Sequence, residues 1–335
     1  MTDTLAYRTF DVDVRGGRLR VGEWSRGHEE GPGEPAFVLA VHGVTSSHLA
    51  WPFVARALLG RTADDGGPAS ARTAPERVVA PDLRGRARSS SLPGPYGMAQ
   101  HADDLAAVLR SAGASADRPA VVVGHSMGAF ASLVLADRHA ELVDRLVLVD
   151  GGFPLEAPPG MTRDEALEAL LGPTLERLTR EFASPEAYLE YWRGHAAFAH
   201  AWSREVEDYV RYDLDGEAPH LHPSTVPTAI PDGNEDLYGG AVLLSALERL
   251  RVPAVFLRAE RGFFDDPARL YPDEAMERWR AAYPAIEVRE VPGTNHYTIV
   301  MTPDGAASVA RATLGGRGVR TEEAVRVAEG DTPKG

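Results

Sequence analysis

The sequence predicts an α/β protein with a mostly parallel, twisted sheet that carries helices on both faces. Short, apolar, β-branched runs alternate with segments of helical periodicity, which is the pattern of a parallel sheet. At residues 119–137 a strand pattern joins a helical pattern directly, across Gly124-His125-Ser126-Met127-Gly128. The chain has 335 residues, of which 44% are hydrophobic and 25% charged, so it can bury one large core and carry an insertion.

The predicted elements follow in order along the chain. Apolar and polar residues alternate on either side of Gly16-Gly17, which predicts a β-hairpin at a sheet edge. Buried strands are predicted at residues 36–41, 77–80, 120–123, 145–149, 253–258 and 286–291. Helices are predicted at about residues 51–59, 98–111, 127–137, 240–250, 273–283 and 303–313. Residues 1–152 and 237–314 are therefore expected to form the core.

The alternation of predicted strands and helices stops after Gly152 and resumes near residue 237. The interval, residues 153–236, shows helical patterns and no convincing strand, and it is rich in aromatic residues. Its predicted helices span residues 164–171, 174–182, 185–193 and 202–212. The last part of the chain, residues 315–335, is charged and poor in apolar residues, so we expect a mobile tail.

Composition excludes several functional classes. A formal charge of −14 argues against nucleic acid or an anionic membrane as the partner. With no cysteine, the chain has no disulfide framework, thiolate chemistry or cysteine-based metal site. The N-terminus lacks the basic start and apolar core of a signal peptide, and no apolar run reaches the length of a membrane span. We expect a cytoplasmic protein that uses no cofactor or metal.

The pentapeptide around Ser126 predicts a nucleophile. A tight turn from strand to helix places the central serine in strained backbone geometry and lifts its hydroxyl clear of the sheet. The small residues Gly124 and Gly128 let the backbone segments pass closely. The N-terminus of the following helix directs its free N–H groups at a charge that develops there. Such a pentapeptide also occurs by chance, but the flanking strand and helix make chance a much weaker explanation here.

A serine hydroxyl needs a general base, and histidine suits this task at neutral pH. Of eleven histidines, His296 follows the last predicted strand on a Gly-Thr-Asn loop, and we predict that it is the base. His125 lies inside the elbow and is expected to point away from the serine. His195 and His200 could line a pocket but are more consistent with packing, and the pair His220 and His222 has no third metal ligand nearby.

Four motifs together resemble the α/β-hydrolase superfamily over residues 8–314. They are His42-Gly43, the turn from Pro81 to Gly85, the elbow from Gly124 to Gly128, and Gly293-Thr294-Asn295-His296. Each is weak alone, whereas the set is specific. The resemblance implies that residues 153–236 form a helical cap inserted after the sixth strand. It also implies an oxyanion hole built from the backbone N–H groups of two residues, Val44 and Met127.

The triad acid departs from the commonest pattern of the superfamily. Most members carry an acid in the loop after the seventh strand, where this chain has Gly262. Some members place it at the end of the sixth strand, which is where Asp150 lies. We predict Asp150, with Glu260 as the main rival; Asp265 and Asp266 are more distant choices.

A serine nucleophile argues against the dehalogenase and epoxide-hydrolase branches, which use a carboxylate. We expect a serine hydrolase that cleaves a carboxylic ester or lactone through an acyl-enzyme, under a cap suited to a bulky, largely apolar substrate. The acid position and the large cap resemble those of the bacterial zearalenone lactonases. A carbon–carbon bond hydrolase with the same triad and a small-molecule receptor remain as alternatives, and a homodimer is left open. The candidate substrate-binding residues are Trp192, Trp202, His125 and Thr45.

Overall fold

The computed structural model describes residues 5–27, 36–60, 75–157, 160–230 and 234–315, and an eight-stranded sheet lies at its centre. The strands in chain order are β1 (Ala6–Val14), β2 (Gly17–Ser25), β3 (Phe37–Val41), β4 (Arg77–Pro81), β5 (Ala120–His125), β6 (Val143–Val149), β7 (Leu214–Glu217), β8 (His220–Pro223), β9 (Ala254–Ala259) and β10 (Ile286–Val291). The order across the sheet is β1-β2-β4-β3-β5-β6-β9-β10. Only the β1–β2 and β2–β4 pairings of this sheet are antiparallel, so the predicted, mostly parallel sheet is confirmed.

Helices cover both faces of the sheet. They are α1 (Pro52–Leu59), α2 (Met98–Ser111), α3 (Met127–Arg138), α4 (Arg163–Leu178), α5 (Pro185–Arg193), α6 (Arg204–Tyr212), α7 (Asn234–Leu237), α8 (Ala241–Glu248), α9 (Asp273–Ala282), α10 (Thr298–Met301) and α11 (Pro303–Leu314). One buried cluster lies between the sheet and α2, α3, α8 and α9. The second lies between the sheet and α1, α10 and α11, and it continues into the segment that precedes α7.

The central strands are apolar because both of their faces are covered. Every residue of β3 is buried, and the β-branched runs of β5 and β6 are buried at all but one position each. Helix α3 is likewise buried from Met127 through Ala136, since it packs between the sheet, α2 and α8. These elements bring the carboxyl ends of β3, β5, β6, β9 and β10, with the loops that follow them, to one edge of the sheet.

Residues 153–236 are called the inserted segment below. In the sequence they lie between β6 and β9, which are paired neighbours in the sheet. The sequence predicts no strand here, and this prediction is wrong, because β7 and β8 form a small antiparallel hairpin. Each has only four residues; β7 is exposed after Leu214, and β8 alternates exposed and buried positions over too short a run to be recognised from the sequence. The predicted helices 164–171 and 174–182 are one helix, α4, which continues through Pro173.

Two further expectations concern the ends and the surface of the chain. The predicted mobile tail, residues 315–335, lies outside the described residues apart from Gly315. Within the described ranges, no helix is both long enough and apolar enough to cross a membrane.

A buried ion pair fixes the turn after β4 against α2. The Arg84 guanidinium donates to both carboxylate oxygens of Asp104, at 2.8 Å each, and to the carbonyl oxygens of Arg15 and Pro93. Gln100 donates a further hydrogen bond to Asp104. Burial raises the pKa of Asp104, while the hydrogen bonds from Arg84 oppose that rise. The carboxylate of Asp104 is therefore the buried counter-charge of this guanidinium.

We expect Asp104→Ala to lower the free energy of unfolding by about 3–5 kcal/mol, because it leaves the buried charge of Arg84 uncompensated. Urea denaturation measures this loss. The control is Asp137→Ala, which removes the partner of Arg249, a guanidinium that is 59% exposed; its cost should stay below about 1 kcal/mol. Equal losses at the two sites would contradict the assignment of a buried, structural pair.

Candidate active site

Ser126 stands between β5 and α3 with φ 53° and ψ −128°, a region that residues with a side chain rarely adopt. The glycines around it are required by close backbone approach. A Cβ on Gly124 would lie 2.5 Å from the carbonyl oxygen of Gly128, and one on Gly128 would lie 2.2 Å from that of Val41. A Cβ on Gly151 would lie 2.3 Å from the carbonyl oxygen of Ser126. The turn is thus wedged between β3 and the end of β6.

His296 and Asp150 meet at the same edge of the sheet. The Nδ1 atom of His296 is 2.7 Å from Oδ2 of Asp150, and both side chains are 2% exposed. The other carboxylate oxygen accepts a hydrogen bond from the N–H of Ala259, at 3.2 Å. A carboxylate that accepts a hydrogen bond from Nδ1–H favours the tautomer of a neutral imidazole in which Nε2 carries the lone pair that a base needs.

The rival acid lies elsewhere. Glu260 is exposed, and its carboxylate accepts a hydrogen bond from the N–H of Gly293, at the start of the loop that carries His296. Asp265 is bonded to Arg261 at 2.6 Å and to Asn295 at 3.0 Å, whereas Asp266 accepts from the N–H of Ala268. The structure therefore brings Asp150 to the imidazole of His296, and it uses these three carboxylates to shape the neighbouring loops.

His125 joins the elbow to the loop that carries His296. Its Nε2 donates to the carbonyl oxygen of His296 at 2.8 Å, and the two rings lie 4.7 Å apart. Burial and the neighbouring His296 lower the pKa of His125 well below its usual value, so the ring is neutral. His125 is one of the residues that line the cavity in front of Ser126. The expectation that its side chain points away from the serine stays a prediction.

The loop after β3 lies against the serine. A Cβ on Gly43 would stand 3.1 Å from Cβ of Ser126. His42 orients this loop, because its Nε2 accepts from the N–H of Leu83 at 2.9 Å and its Nδ1 donates to the carbonyl oxygen of Gly43 at 2.8 Å. Val44 and Thr45 follow in the cavity wall, and Met127 opens α3 directly after the serine.

A cavity of about 370 Å³, part of it open to solvent, lies in front of these groups. Its walls combine the hydroxyl and imidazole groups with apolar side chains. The lining residues are Gly43, Val44, Thr45, Ser46, Ala50, His125, Ser126, Tyr209, Phe263, His296, Tyr297, Val300 and Met301. The ring of Phe263 stacks on that of His296, with centroids 3.8 Å apart.

The structure does not bring two of the predicted substrate-binding residues to this cavity. Trp192 is buried among the aromatic rings of the inserted segment, against Tyr209 and Phe198, and its ring faces the guanidinium of Arg177. Trp202 lies under the guanidinium of Arg193. The ring of Trp192 belongs to the buried core of the inserted segment, whereas Trp202 is half-buried and packs against that core. The contribution of both residues to substrate binding stays a prediction.

Tyr209, Phe263 and Arg86 are site residues that were not identified from the sequence. Tyr209 shares the buried face of α6 with Val206 and Val210, so its helical spacing was a usable signal. Burial raises its pKa, which keeps the hydroxyl protonated. Arg86 follows directly on the Pro81–Gly85 motif, but nothing in the sequence distinguishes it from the neighbouring, equally buried Arg84.

Among the histidines that the structure describes, His195 and His220 lie outside the cavity in front of Ser126. His195 contacts the rings of Phe264 and Tyr297, and burial lowers its pKa to about 4. His220 pairs with the exposed Glu181 at 3.1 Å. In the part of the chain that the structure describes, no group of three or more histidine or carboxylate side chains is placed to hold a metal ion.

We expect the protein to lose stability as the pH falls from about 6.5 to about 4. Burial, reinforced by the charge of Arg86, lowers the pKa of His42 to about 4 from its usual 6.5. The unfolded chain therefore binds a proton in this range that the folded chain does not, which costs about 3 kcal/mol at most from this residue. Urea denaturation at pH 7, 6, 5 and 4 measures the slope.

The matched variant is His42→Gln, which cannot titrate. It should be less stable at pH 7 yet show a shallower dependence on pH, with the remaining slope due to groups such as His125. An unchanged slope would show that His42 is not neutral in the folded protein.

Comparison with known proteins gives consistent results. A sequence model described as "Alpha/beta hydrolase family" matches residues 38–312. Lipase LipV of Mycobacterium tuberculosis is 32% identical over 219 residues, which are 65% of this chain and 66% of that protein. A putative carbamate hydrolase, RutD of Serratia proteamaculans, is 29% identical over 176 residues, or 48% and 64% of the two chains.

The matched regions thus span slightly less than two thirds of both relatives. Among solved structures, the crystal structure of E-2-(acetamidomethylene)succinate hydrolase aligns with a TM-score of 0.70 and 22% identity. That alignment covers 92% of this chain and 99% of the other. At this level of identity the likeness concerns the fold.

Proposed function

Because the chain belongs to the alpha/beta hydrolase family, we propose that it hydrolyses a carboxylic ester or lactone through an acyl-enzyme on Ser126. The observation that carries this proposal is the contact of 2.7 Å between Nδ1 of His296 and the carboxylate of Asp150, beside a cavity that Ser126 also lines. A nucleophile, a base and the group that orients the base are then assembled at one edge of the sheet. The lipase relative supports an ester substrate.

In the first half of the reaction, Oγ of Ser126 attacks the substrate carbonyl carbon while Nε2 of His296 takes its proton. The backbone N–H groups of Val44 and Met127 bind the oxyanion that forms. The tetrahedral intermediate collapses, and the alcohol leaves with the proton from His296. Asp150 stabilises the imidazolium while it exists.

In the second half, His296 takes a proton from water, which attacks the acyl carbonyl. Collapse of the second intermediate releases the acid and returns the proton to Ser126. A lactone follows the same steps, except that the alcohol stays attached to the acyl group. Phe263 covers one face of the imidazole throughout and shields it from water.

The cavity suggests what the acyl group is like. Its apolar walls, from Val44, Phe263, Val300 and Met301, favour an uncharged group. Among the described residues, Tyr209 is the one lining side chain from the inserted segment, which we propose acts as the cap. An uncharged acyl group therefore fits the walls of this cavity, and the bulky substrate expected from the sequence stays a prediction.

Ser126→Ala should lower hydrolysis of p-nitrophenyl acetate by several powers of ten, because only the nucleophilic oxygen is lost. A fluorophosphonate should label the wild type and not the variant, as read by intact-mass spectrometry. Circular dichroism of the variant serves as the control for folding. Equal labelling of the two proteins would overturn the assignment of the nucleophile, and ligand-induced stabilisation of an unreactive wild type would favour a receptor.

Asp150→Asn should lower kcat by roughly three to four orders of magnitude, because the amide favours the wrong tautomer of His296. The matched variant Glu260→Gln makes the same change at a carboxylate that contacts the neighbouring loop, and it should cost at most about tenfold. Both are measured on one ester after folding is checked. The opposite ranking would make Glu260 the acid and leave Ser126 and His296 in place.

A further inference from the structure

A buried guanidinium lies behind the proposed oxyanion hole. Arg86 is 1% exposed and follows the turn after β4. Its Nε donates to the carbonyl oxygen of Val44 at 3.0 Å, and its Nη2 lies 3.5 Å from the sulfur of Met127. These are the two residues whose N–H groups would hold the oxyanion. One side chain thus contacts both of these residues, through the carbonyl oxygen of Val44 and the side chain of Met127, and it does not itself line the cavity.

The remaining contacts of Arg86 hold the guanidinium in this orientation. Nη1 donates to the carbonyl oxygen of Arg84 at 2.7 Å and lies 3.3 Å from Nε2 of His101. Burial, and next the charge of Arg86, lowers the pKa of His101 well below its usual value, so that imidazole is neutral and can accept. The planar fork has little freedom to rotate, because each of its nitrogens is engaged.

Arg86 also ties the site to the inserted segment. Its Nη2 donates to the carbonyl oxygen of Ala229 at 3.0 Å, close to the end of that segment. Beside it, the N–H of Val226 donates to the carbonyl oxygen of Gly85 at 2.9 Å. The loop that carries Val44, the start of α3 and the end of the inserted segment therefore converge on one side chain.

We propose that Arg86 is the positioning residue of the oxyanion hole: its guanidinium fixes the Val44 loop against the start of α3, so that the N–H groups of Val44 and Met127 converge on the substrate carbonyl oxygen. This inference rests on the proposed function, because it assumes acyl transfer at Ser126. The loop needs such support, since Gly43 gives its backbone freedom and its own N–H donors must face the cavity. A lysine could not replace the fork, because one nitrogen cannot reach acceptors on three separate segments.

The test compares p-nitrophenyl acetate with p-nitrophenyl thionoacetate, whose sulfur accepts hydrogen bonds poorly and fits an oxyanion hole badly. Arg86→Met should lower kcat/KM for the ester by about ten- to a hundredfold and for the thionoester by less than about threefold, since the loss of one oxyanion donor already costs about a hundredfold or more. The ratio of the two constants therefore falls. Arg86→Lys should lower the ratio as well.

The matched control is the double variant Arg84→Met/Asp104→Leu, which removes an equally buried guanidinium two residues away together with its partner. It should leave the ratio unchanged even where both constants fall. If Arg86→Met lowers both constants in proportion, the residue is only structural and the inference fails. The inference also fails if Arg86→Lys keeps the wild-type ratio, because charge rather than the fork would then suffice.

Arg86→Lys also serves as the test if Arg86→Met does not fold. Failure of the proposed function gives a different result: the wild type would neither hydrolyse the ester nor react with a fluorophosphonate. A wild type that reacts at Ser126, with an unchanged ratio in a folded Arg86 variant, refutes the positioning role alone.

Discussion

The close approach of α3 to β3 is the constraint on which the rest of the site depends. At Gly128 the helix backbone comes so near to strand β3 that a Cβ would lie 2.2 Å from the carbonyl oxygen of Val41. The chain turns from β5 to α3 within one residue, and that residue, Ser126, takes a positive φ. The strain is maintained by burial, since α3 is enclosed along most of its length. Stability of the core and exposure of the serine hydroxyl therefore have the same origin.

Around this turn, buried polar side chains hold the loops together by hydrogen bonds, because the loops have no hydrogen-bond pattern of a helix or sheet. His42 connects the ends of β3 and β4, His125 connects the elbow to the loop after β10, and Arg86 connects three segments. Each is buried with hydrogen bonds to backbone carbonyl or N–H groups, which offset the cost of leaving water. The two histidines are neutral in the folded chain, so these links hold without placing further charge beside His296.

The sequence allowed the sheet and the position of the candidate active site at its edge to be predicted, because both depend on local sequence patterns. A buried strand shows as a β-branched run, and the elbow shows as glycines at fixed spacing, so the placement of Ser126 and His296 needs no tertiary information. Tyr209 and Arg86 could not be ranked in the same way, because their roles depend on which distant segments pack against them. The hairpin of β7 and β8 was missed for a different reason: each of its strands has only four residues, and β7 has a single buried position.

The position of the candidate acid, Asp150, depends on the space available at the ends of β6 and β9. Strands β6 and β9 are neighbours, and the N–H of Asp150 donates to the carbonyl oxygen of Leu257, so their ends offer two adjacent places for a carboxylate behind His296. On the β9 side, a Cβ on Gly262 would lie 2.2 Å from the carbonyl oxygen of Ala268, so no side chain fits without moving that loop. On the β6 side, Asp150 takes a positive φ that points its carboxylate at both Ala259 and His296. Backbone crowding after β9 and a strained turn after β6 are therefore complementary features, and together they leave Asp150 as the carboxylate that reaches the imidazole.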